Sequence, residues 1–234
     1  GEALVANGSV EEGCRLGRLA LKLVENKLSL VRKPAVIVIV YHCILWASEP
    51  QQSIIEAHEI GRKVGQQTGD FLYSAVNWHI STLTSYLAGQ SLDHVQRSME
   101  DYVMTMHSRN SGIFVGGSIL LFHQARVLKD GLRALDVKPS NNISSEEEAL
   151  QQFSNPMTLT FYKIHQLVRA YLFLRLHDLQ SLDIVDISDD IERNKHYLRG
   201  FFLFGIFFEG LASFLLARQT TRDSERSRWI EKGE

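Results

Sequence analysis

A helix stop followed at once by a helix start is the feature that most constrains how this chain folds. Residues 64 to 75 read VGQQTGDFLYSA, and Gly69 and Asp70 lie there between two helix-patterned stretches. Glycine readily takes the left-handed conformation that ends a helix, and an aspartate carboxylate accepts hydrogen bonds from the free amides of a first helical turn. The pair therefore predicts two antiparallel helices joined by a very short turn.

The same boundary signals recur along the chain. Gly89 and Ser91 form the next boundary, and helix starts are spaced regularly, at roughly residues 11, 33, 51, 70, 91 and 111. Further on, Ser144 or Ser145 with the trailing glutamates resembles a capping box, and Pro156 opens a long helix. These signals predict a succession of helices separated by short turns.

The remaining segments are less regular. Residues 129–145 contain Pro139 and a Ser/Asn-rich run, and we predict an internal loop there. The long helix that starts at Pro156 is expected to reach about His177. Three further helices are predicted after it: a weakly amphipathic one over 179–195, an aromatic one over 200–218, and one that starts at Asp223.

Two segments leave an alternative open. The segment Pro34 to Trp46 is rich in β-branched residues and could form a buried strand, but we predict a helix because no second strand candidate exists for pairing. A helix is also predicted from Ser111 to about Leu128, although its paired glycines, at 116 and 117, each lower helix stability by roughly 1 kcal/mol relative to alanine.

A seven-residue pattern occurs twice, at 12–18 (EGCRLGR) and at 56–62 (EAHEIGR), with an offset of 44 residues. Both copies place an acid, a small residue, a branched apolar residue, a glycine and an arginine in the same order. Gly17 and Gly61 weaken their helices, so we expect each to permit the close approach of a neighbouring helix. The offset equals the length of a helix pair, which predicts antiparallel pairs stacked as an α-solenoid.

Charge and cysteine content argue against several classes of protein. The chain has 25 basic and 27 acidic residues, a net charge of −2, so no strong field favours nucleic acid. Cys14 and Cys43 lie in apolar helical patterns, and we interpret them as reduced core residues of a cytoplasmic protein. Because the sequence starts at Gly1 without a leader, we interpret it as part of a longer chain.

One apolar stretch requires a test against membrane insertion. Residues 201–216 read FFLFGIFFEGLASFLL. A helix that spans a bilayer needs about 20 apolar residues without charge, whereas this run follows Arg199 and contains Glu209. We therefore expect no membrane association and predict a buried helix with Glu209 at its exposed edge, and a membrane attachment is the alternative.

The sequence lacks the motifs of common active sites. There is no G-x-x-x-x-G-K-[ST], no H-E-x-x-H and no G-x-S-x-G. We attribute the glycine-rich segment 112–118 to helix packing, interpret His58 as a surface histidine rather than a phosphoacceptor, and expect a cluster of carboxylates to be solvated. These carboxylates are Asp189, Asp190 and Glu192. We predict no catalytic residue, cofactor, metal or small-molecule ligand.

Three stretches together resemble a known family. They are EGCRLGRLALKLVE, EAHEIGRKVGQQTGDFLYSAVN and YLAGQSLDHV. They are similar to the tetratricopeptide-like helical region of large signalling proteins, which combine a predicted AAA-type ATPase, often behind a serine/threonine-kinase-like domain, with a GAF domain and a hybrid histidine kinase. The similarity extends from about Gly8 to the C-terminus, although the full 34-residue consensus is absent. It implies one tetratricopeptide-like region over 1–234, all-α in class.

The leading functional hypothesis is a non-catalytic scaffold or sensor segment that contacts a protein partner or neighbouring domains. Helical stacks offer a broad concave surface for such contacts. Three aromatic residues could take part in them, although core packing is the simpler explanation. They are Trp78, Tyr86 and Tyr102.

An alternative from the enzyme class is that the region contributes a residue in trans to nucleotide hydrolysis or phosphotransfer in an ATPase or kinase domain. Arginine is the side chain that stabilises transferred phosphate charge in such reactions. Three arginines are candidates, and the sequence does not favour one of them. They are Arg15, Arg18 and Arg62.

Overall fold

The protein is all-helical in the part of the chain that the structure describes. The computed structural model describes residues 1–25, 27–112, 114–137, 143–153, 155–182, 199–220 and 223–233. Within these ranges every regular element is a helix and no strand occurs. The all-α prediction is thereby confirmed.

The helix bounds are as follows. The first six α-helices are α1 (Glu2–Ala6), α2 (Val10–Val24), α3 (Lys33–Ile37), α4 (Gln51–Thr68), α5 (Phe71–Leu87) and α6 (Leu92–Ser108). The next six are α7 (Val115–Asp130), α8 (Glu146–Gln152), α9 (Pro156–Leu172), α10 (Leu176–Ser181), α11 (Arg199–Gln219) and α12 (Asp223–Gly233). The 3₁₀ helices are Lys27–Arg32 and Leu132–Asp136, and α3 continues into a π-helix, Val38–Ile44.

The boundary between α4 and α5 has the capping geometry that its sequence predicts. Gly69 is left-handed, with φ of 76°, and the Asp70 carboxylate accepts a 3.1 Å hydrogen bond from the backbone N–H of Tyr73. Gly89 is also left-handed, with φ of 72°. Ser91 occupies the N-cap position of α6, but its side chain makes no capping hydrogen bond.

Contacts across the first of these turns fix the direction of the two helices. The Ser74 hydroxyl, near the start of α5, donates to the carbonyl of Arg62, near the end of α4. About two turns further along α5, the Ser81 hydroxyl donates to Glu59, which lies earlier in α4. Because later residues of one helix meet earlier residues of the other, α4 and α5 are antiparallel.

The caps of α8 and α9 also agree with the sequence. Ser145 and Glu148 form a reciprocal capping box, and Pro156 is the first residue of α9. However, α9 ends at Leu172, before the predicted end at His177. The chain turns there through Leu174, whose φ is 52°, and α10 follows.

Other predicted boundaries differ from those observed. Helix α7 begins at Val115 instead of directly after Ser111, and the left-handed residue at its N-cap is Phe114, with φ of 50°. A 3₁₀ helix occupies 132–136, within the predicted loop. Most of the predicted helix 179–195 lies outside the described residues.

The segment that could have been a strand is helical. It starts as α3, with Pro34 in the first turn, and widens into the π-helix, which ends at Ile44. The helix prediction for this segment is therefore confirmed.

Cys14 and Cys43 are both free cysteines, and Cys14 is buried.

Helices α5, α7, α9 and α11 share the main hydrophobic core. Contacts between successive members show that they run in the same direction. Phe161 of α9 stacks on Phe201 of α11 with ring centroids 4.1 Å apart, and ten residues later Tyr171 meets Phe208. Since the residue numbers increase together along both helices, α9 and α11 are parallel. The first and last helices of this layer are also in contact, because Tyr86 of α5 packs edge-on against Phe204 of α11.

The aromatic helix α11 is packed more deeply than its sequence predicts. Glu209 is only 4% exposed, so the prediction that it marks an exposed edge is wrong, and its side chain is not isolated. The reason is that α9 packs on α11 and α12 folds back over it, with Gly233 close to Gly210. Among the described helices, none is both long enough and apolar enough to cross a membrane.

The repeated glycines lie against neighbouring helices, as the repeat predicts. A Cβ atom at Gly17 would lie 3.2 Å from side-chain atoms of Val40 and Ile44. A Cβ atom at Gly61 would lie 2.6 Å from the Asn77 Cγ atom. Asn77 cannot easily move away, because its amide nitrogen donates to two backbone carbonyls.

Substitution of Gly61 by alanine is expected to destabilise the fold. The new methyl group would overlap the buried Asn77 amide, and overpacking of this kind costs about 2 kcal/mol. Gly117→Ala is the matched control, because its Cβ atom would lie no closer than 3.7 Å to His79. The control should be neutral or stabilising by up to about 1 kcal/mol. Urea unfolding measures both, and equal effects at the two positions would contradict the close approach.

Candidate functional site

An open groove of about 950 Å³ runs between α4 and α6 with α5 as its floor. The α4 wall consists of Gln52, Ile55, Glu56, Glu59, Ile60 and Lys63. The floor consists of Trp78, Ser81 and Ser85. The α6 wall consists of His94, Arg97, Ser98 and Asp101.

Helical periodicity explains why these residues share one surface. Positions spaced by three and four residues lie on one face of a helix. Helices α4 and α6 are each antiparallel to α5, so they form parallel walls. The α4 wall extends about 16 Å along the helix axis from Gln52 to Lys63. An extended peptide of about five residues has the same length.

Trp78 is the central side chain of the groove floor, and its neighbours fix it in place. Its indole N–H donates to the Ser98 hydroxyl at 3.0 Å, and the Arg62 guanidinium lies 5.2 Å from its ring centroid. Arg62 is paired with Glu59 at 2.8 Å, and Glu59 also accepts a 2.9 Å bond from Ser81. The floor of the groove is therefore preorganised.

The rims of the groove carry both signs of charge. Glu56 and Lys63 lie on the α4 wall, and Arg97 and Asp101 lie on the α6 wall; all four are exposed. In the part of the chain that the structure describes, none of these four side chains forms an ion pair. These four side chains are therefore available to form ion pairs with charged groups of a ligand in the groove.

The three aromatic residues considered as contact residues in the sequence analysis lie in different environments. Trp78 lines the groove, whereas Tyr86 and Tyr102 are buried in the core. Burial raises the pKa of Tyr86 to about 12. Only the first of the three is thus placed where a partner could reach it.

Two of the three candidate arginines are already paired. Arg18 bonds to Glu49 at 2.8 Å and Arg62 to Glu59, while Arg15 is exposed on α2. Arg15 and Arg18 lie on α2, whereas Arg62 lies on α4. Nothing in this arrangement favours one of them for contact with a phosphate.

The prediction that His58 lies on the surface is wrong. Its side chain is fully buried, and its Nδ1 atom lies 2.8 Å from the Asn77 Oδ1 atom. Asn77 in turn donates to the carbonyls of Pro34 and Tyr73. Burial lowers the pKa of His58 to about 3, so the ring is neutral at neutral pH.

A second polar feature, an ion pair inside the helical core, was not predicted. The Arg169 side chain, 6% exposed, donates to both carboxylate oxygens of Glu146 at 2.6 and 2.9 Å. Its Nε atom also donates to Gln124 at 2.6 Å, and Gln124 donates to the Tyr86 hydroxyl. The network joins α8, α9, α7 and α5.

A cavity of about 300 Å³ opens beside this ion pair, between Tyr162 and Arg175. Arg175 is itself paired with Asp178 at 2.6 Å. Because Arg169 already bonds to a carboxylate and an amide, the cavity presents no arginine without a partner. The ion pairs around this cavity therefore stabilise the helix packing and are not available to bind a ligand.

Further histidines are buried in the same core. His79 accepts or donates a 2.8 Å bond with Ser118, and burial lowers its pKa to about 3. His165 lies among the rings of Phe161 and Phe201, and neither of its ring nitrogens has a hydrogen-bond partner among the described residues. Within those residues, no three His, Cys, Asp or Glu side chains are grouped to hold a metal ion.

Comparison with known proteins identifies no relative of this chain. No protein-family model, no curated protein and no solved structure matches it.

Removal of Arg169 is expected to cost far more stability than removal of an exposed arginine. Arg169→Ala leaves the buried Glu146 carboxylate without its partner, which costs about 4 kcal/mol. Arg18→Ala, whose side chain is 53% exposed, is the control and should have a much smaller effect. The double variant Arg169→Met/Glu146→Leu should recover most of the loss. Chemical unfolding measures all three, and equal losses for both alanine variants would contradict the burial of the pair.

Stability is expected to fall as the solution is acidified below pH 6.5. Histidine has a pKa of about 6.5 in an unfolded chain, whereas His58 and His79 have pKa values of about 3 in the fold. Between pH 6.5 and pH 3 the unfolded state binds more protons than the folded state does. The contribution of each histidine to the free energy of unfolding is therefore fully present above pH 6.5 and decreases towards pH 3, by about 2 kcal/mol per histidine at pH 5.

Urea unfolding at pH 7, 6 and 5 tests this dependence. His58→Gln should reduce the loss between pH 7 and pH 5 by about 2 kcal/mol, since glutamine does not titrate. His107→Gln, at an exposed position of α6, should leave the loss unchanged. An identical pH dependence in both variants would refute the assignment.

Proposed function

We propose that this chain is a non-catalytic helical-repeat scaffold that binds an extended segment of a protein partner in the groove between α4 and α6. The observation that carries the proposal is the groove itself, an open channel of about 950 Å³ with a fixed tryptophan in its floor. Its length matches about five extended residues.

The polar groups of the groove favour an extended chain over a helix. A helix satisfies its backbone N–H and C=O groups internally, whereas an extended peptide leaves them available. Side chains that both donate and accept hydrogen bonds line the solvent-accessible edges of the groove. They are Gln52 on α4, Gln90 in the turn between α5 and α6, and His94 on α6.

The fold proposed for this work is a tetratricopeptide-like stack of antiparallel helix pairs. Its support comes from the pairs α4/α5 and α6/α7, from the repeat at 12–18 and 56–62, and from the family resemblance in the sequence. Following that resemblance, we propose that the scaffold belongs to a signalling protein with ATPase and histidine-kinase modules. Its partner is then another protein or a neighbouring domain.

The non-catalytic part of the proposal rests on the state of the buried ionisable groups. Arg169 is neutralised by Glu146, and burial holds the pKa of His58, His79 and His165 far below its ordinary value. General acid–base catalysis works best with a pKa near the operating pH. These groups are therefore suited to stability rather than proton transfer.

Selection of displayed random peptides against the purified chain tests the proposal. Selected peptides should bind in an extended form and should lose at least tenfold in affinity, about 1.4 kcal/mol, when Arg97 is changed to glutamate. Arg133→Glu, the same charge reversal at an exposed position outside the groove, is the control. Failure to select any peptide, or selected peptides that bind both variants equally well, would overturn the proposal.

A further inference from the structure

A cavity of about 240 Å³ lies where α7 and α9 begin. Gly112 and Asn155 are exposed at its mouth, and the buried side chain of His79 lies inside it. Three phenylalanine rings and a methionine form its apolar lining. They are Phe114, Phe153, Phe161 and Met157.

The first turn of α7 places backbone N–H groups at this cavity. Gly116 and Gly117 line it, and neither of their N–H groups has an acceptor among the described residues. The next N–H group, that of Ser118, already bonds to the carbonyl of Phe114. Free N–H groups and the positive end of the helix dipole together favour an anion at such a position.

Helix packing explains only one of these two glycines. A Cβ atom at Gly116 would lie 2.8 Å from the Cβ atom of Phe153, so a side chain does not fit there. A Cβ atom at Gly117 would lie 3.7 Å from the Cε1 atom of His79 and 4.0 Å from the ring of Phe161. The space between these two rings is therefore open beside Gly117.

A buried histidine provides an independent observation. His79 is 1% exposed, and its Nδ1 atom lies 2.8 Å from the hydroxyl oxygen of Ser118. Ser118 is fully buried, and within the described residues its hydroxyl has no other hydrogen-bond partner. Because a buried hydroxyl needs an acceptor for its proton, Ser118 donates to Nδ1. The proton of the neutral imidazole ring is then on Nε2.

The Nε2–H group of His79 is a donor without an acceptor in the described part of the chain. Nε2 is bonded to Cε1, the ring atom that lies nearest to the side-chain position of Gly117. Burial lowers the pKa of His79 to about 3, so the ring stays neutral at neutral pH. The Asn155 side chain is already used, since it caps α9 by accepting from the N–H of Thr158.

Donors without acceptors select a ligand that accepts hydrogen bonds. Among the described residues that line the cavity none is charged, so no cation is present to neutralise the two charges of a phosphate. A single carboxylate suits N–H donors at a helix start. The aromatic walls require an apolar body. A cavity of about 150 Å³ accommodates benzene, so this larger one has room for a ring and its carboxylate.

We propose that this cavity binds a small monocarboxylate with an apolar body. The carboxylate oxygens accept hydrogen bonds from the N–H groups of Gly116 and Gly117 and from Nε2–H of His79. The apolar body packs among the phenylalanine rings. The site lies outside the α4–α6 groove, so failure of one proposal does not decide the other.

Titration of the full chain with benzoate and with phenylacetate, followed by ¹⁵N-resolved NMR, tests the proposal. The backbone N–H resonances of Gly116 and Gly117 and the Nε2 resonance of His79 should shift and reach saturation. Benzamide and toluene, which carry no carboxylate, should bind at least tenfold more weakly than benzoate. Inorganic phosphate should leave these resonances unchanged.

Two variants remove parts of the site. Gly117→Ala adds a methyl group beside the rings without overlapping a neighbour, so it should keep the stability of the parent and reduce benzoate affinity at least tenfold. The double variant His79→Phe/Ser118→Ala removes the ring donor together with its partner and should have the same effect on affinity. Gly210→Ala on α11 is the matched control, because its Cβ atom would lie 3.5 Å from the Gly233 carbonyl oxygen, and it should bind benzoate as the parent does.

Three results would exclude this site. One is the absence of a saturable shift with either acid at millimolar concentration, and another is equal affinity for benzamide and benzoate. The third is unchanged benzoate affinity in Gly117→Ala or in the double variant, with circular dichroism showing that the variant is folded. Arg97→Glu, in the α4–α6 groove, should leave benzoate affinity unchanged, and a loss there would also contradict the proposal.

Discussion

The close contact between Gly61 and Asn77 is the constraint on which the rest of the described architecture depends. A buried amide is stable only when each of its polar groups has a partner. Asn77 meets this condition by bonding to His58 of α4, to the carbonyl of Pro34 in α3 and to a carbonyl of its own helix. Because position 61 has no side chain, α4 can approach closely enough for these bonds to form, and the register of three helices is fixed together.

That register also forms the α4–α6 groove. With Gly61 against Asn77, Glu59 reaches the hydroxyl of Ser81 and holds Arg62 over the indole of Trp78. Helix α5 consequently has two roles, since one face forms the groove floor and the other packs into the core. The groove floor is held by these bonds and adjoins the buried contact between Asn77 and His58.

The boundary between α4 and α5 and the start of α8 followed from the sequence because capping is local. Gly69, Asp70 and Ser145 act on amides and carbonyls within a few residues of themselves. The environments of His58 and Glu209, and the pairing of Arg169 with Glu146, were not predictable in this way. Each depends on side chains that another helix supplies, and the ion pair joins residues 23 positions apart. The groove itself requires three helices in register, which no local pattern encodes.

The parallel order of α5, α7, α9 and α11 places the starts of four helices along one edge of the layer. Each helix start carries roughly half a positive charge and each helix end roughly half a negative charge. Helices α4 and α6 run antiparallel to α5, so their negative ends lie on the same side and offset part of this charge. What remains acts only within about one turn of each helix end, so it favours an acidic group placed directly at one of these helix starts and does not produce a field across the molecule.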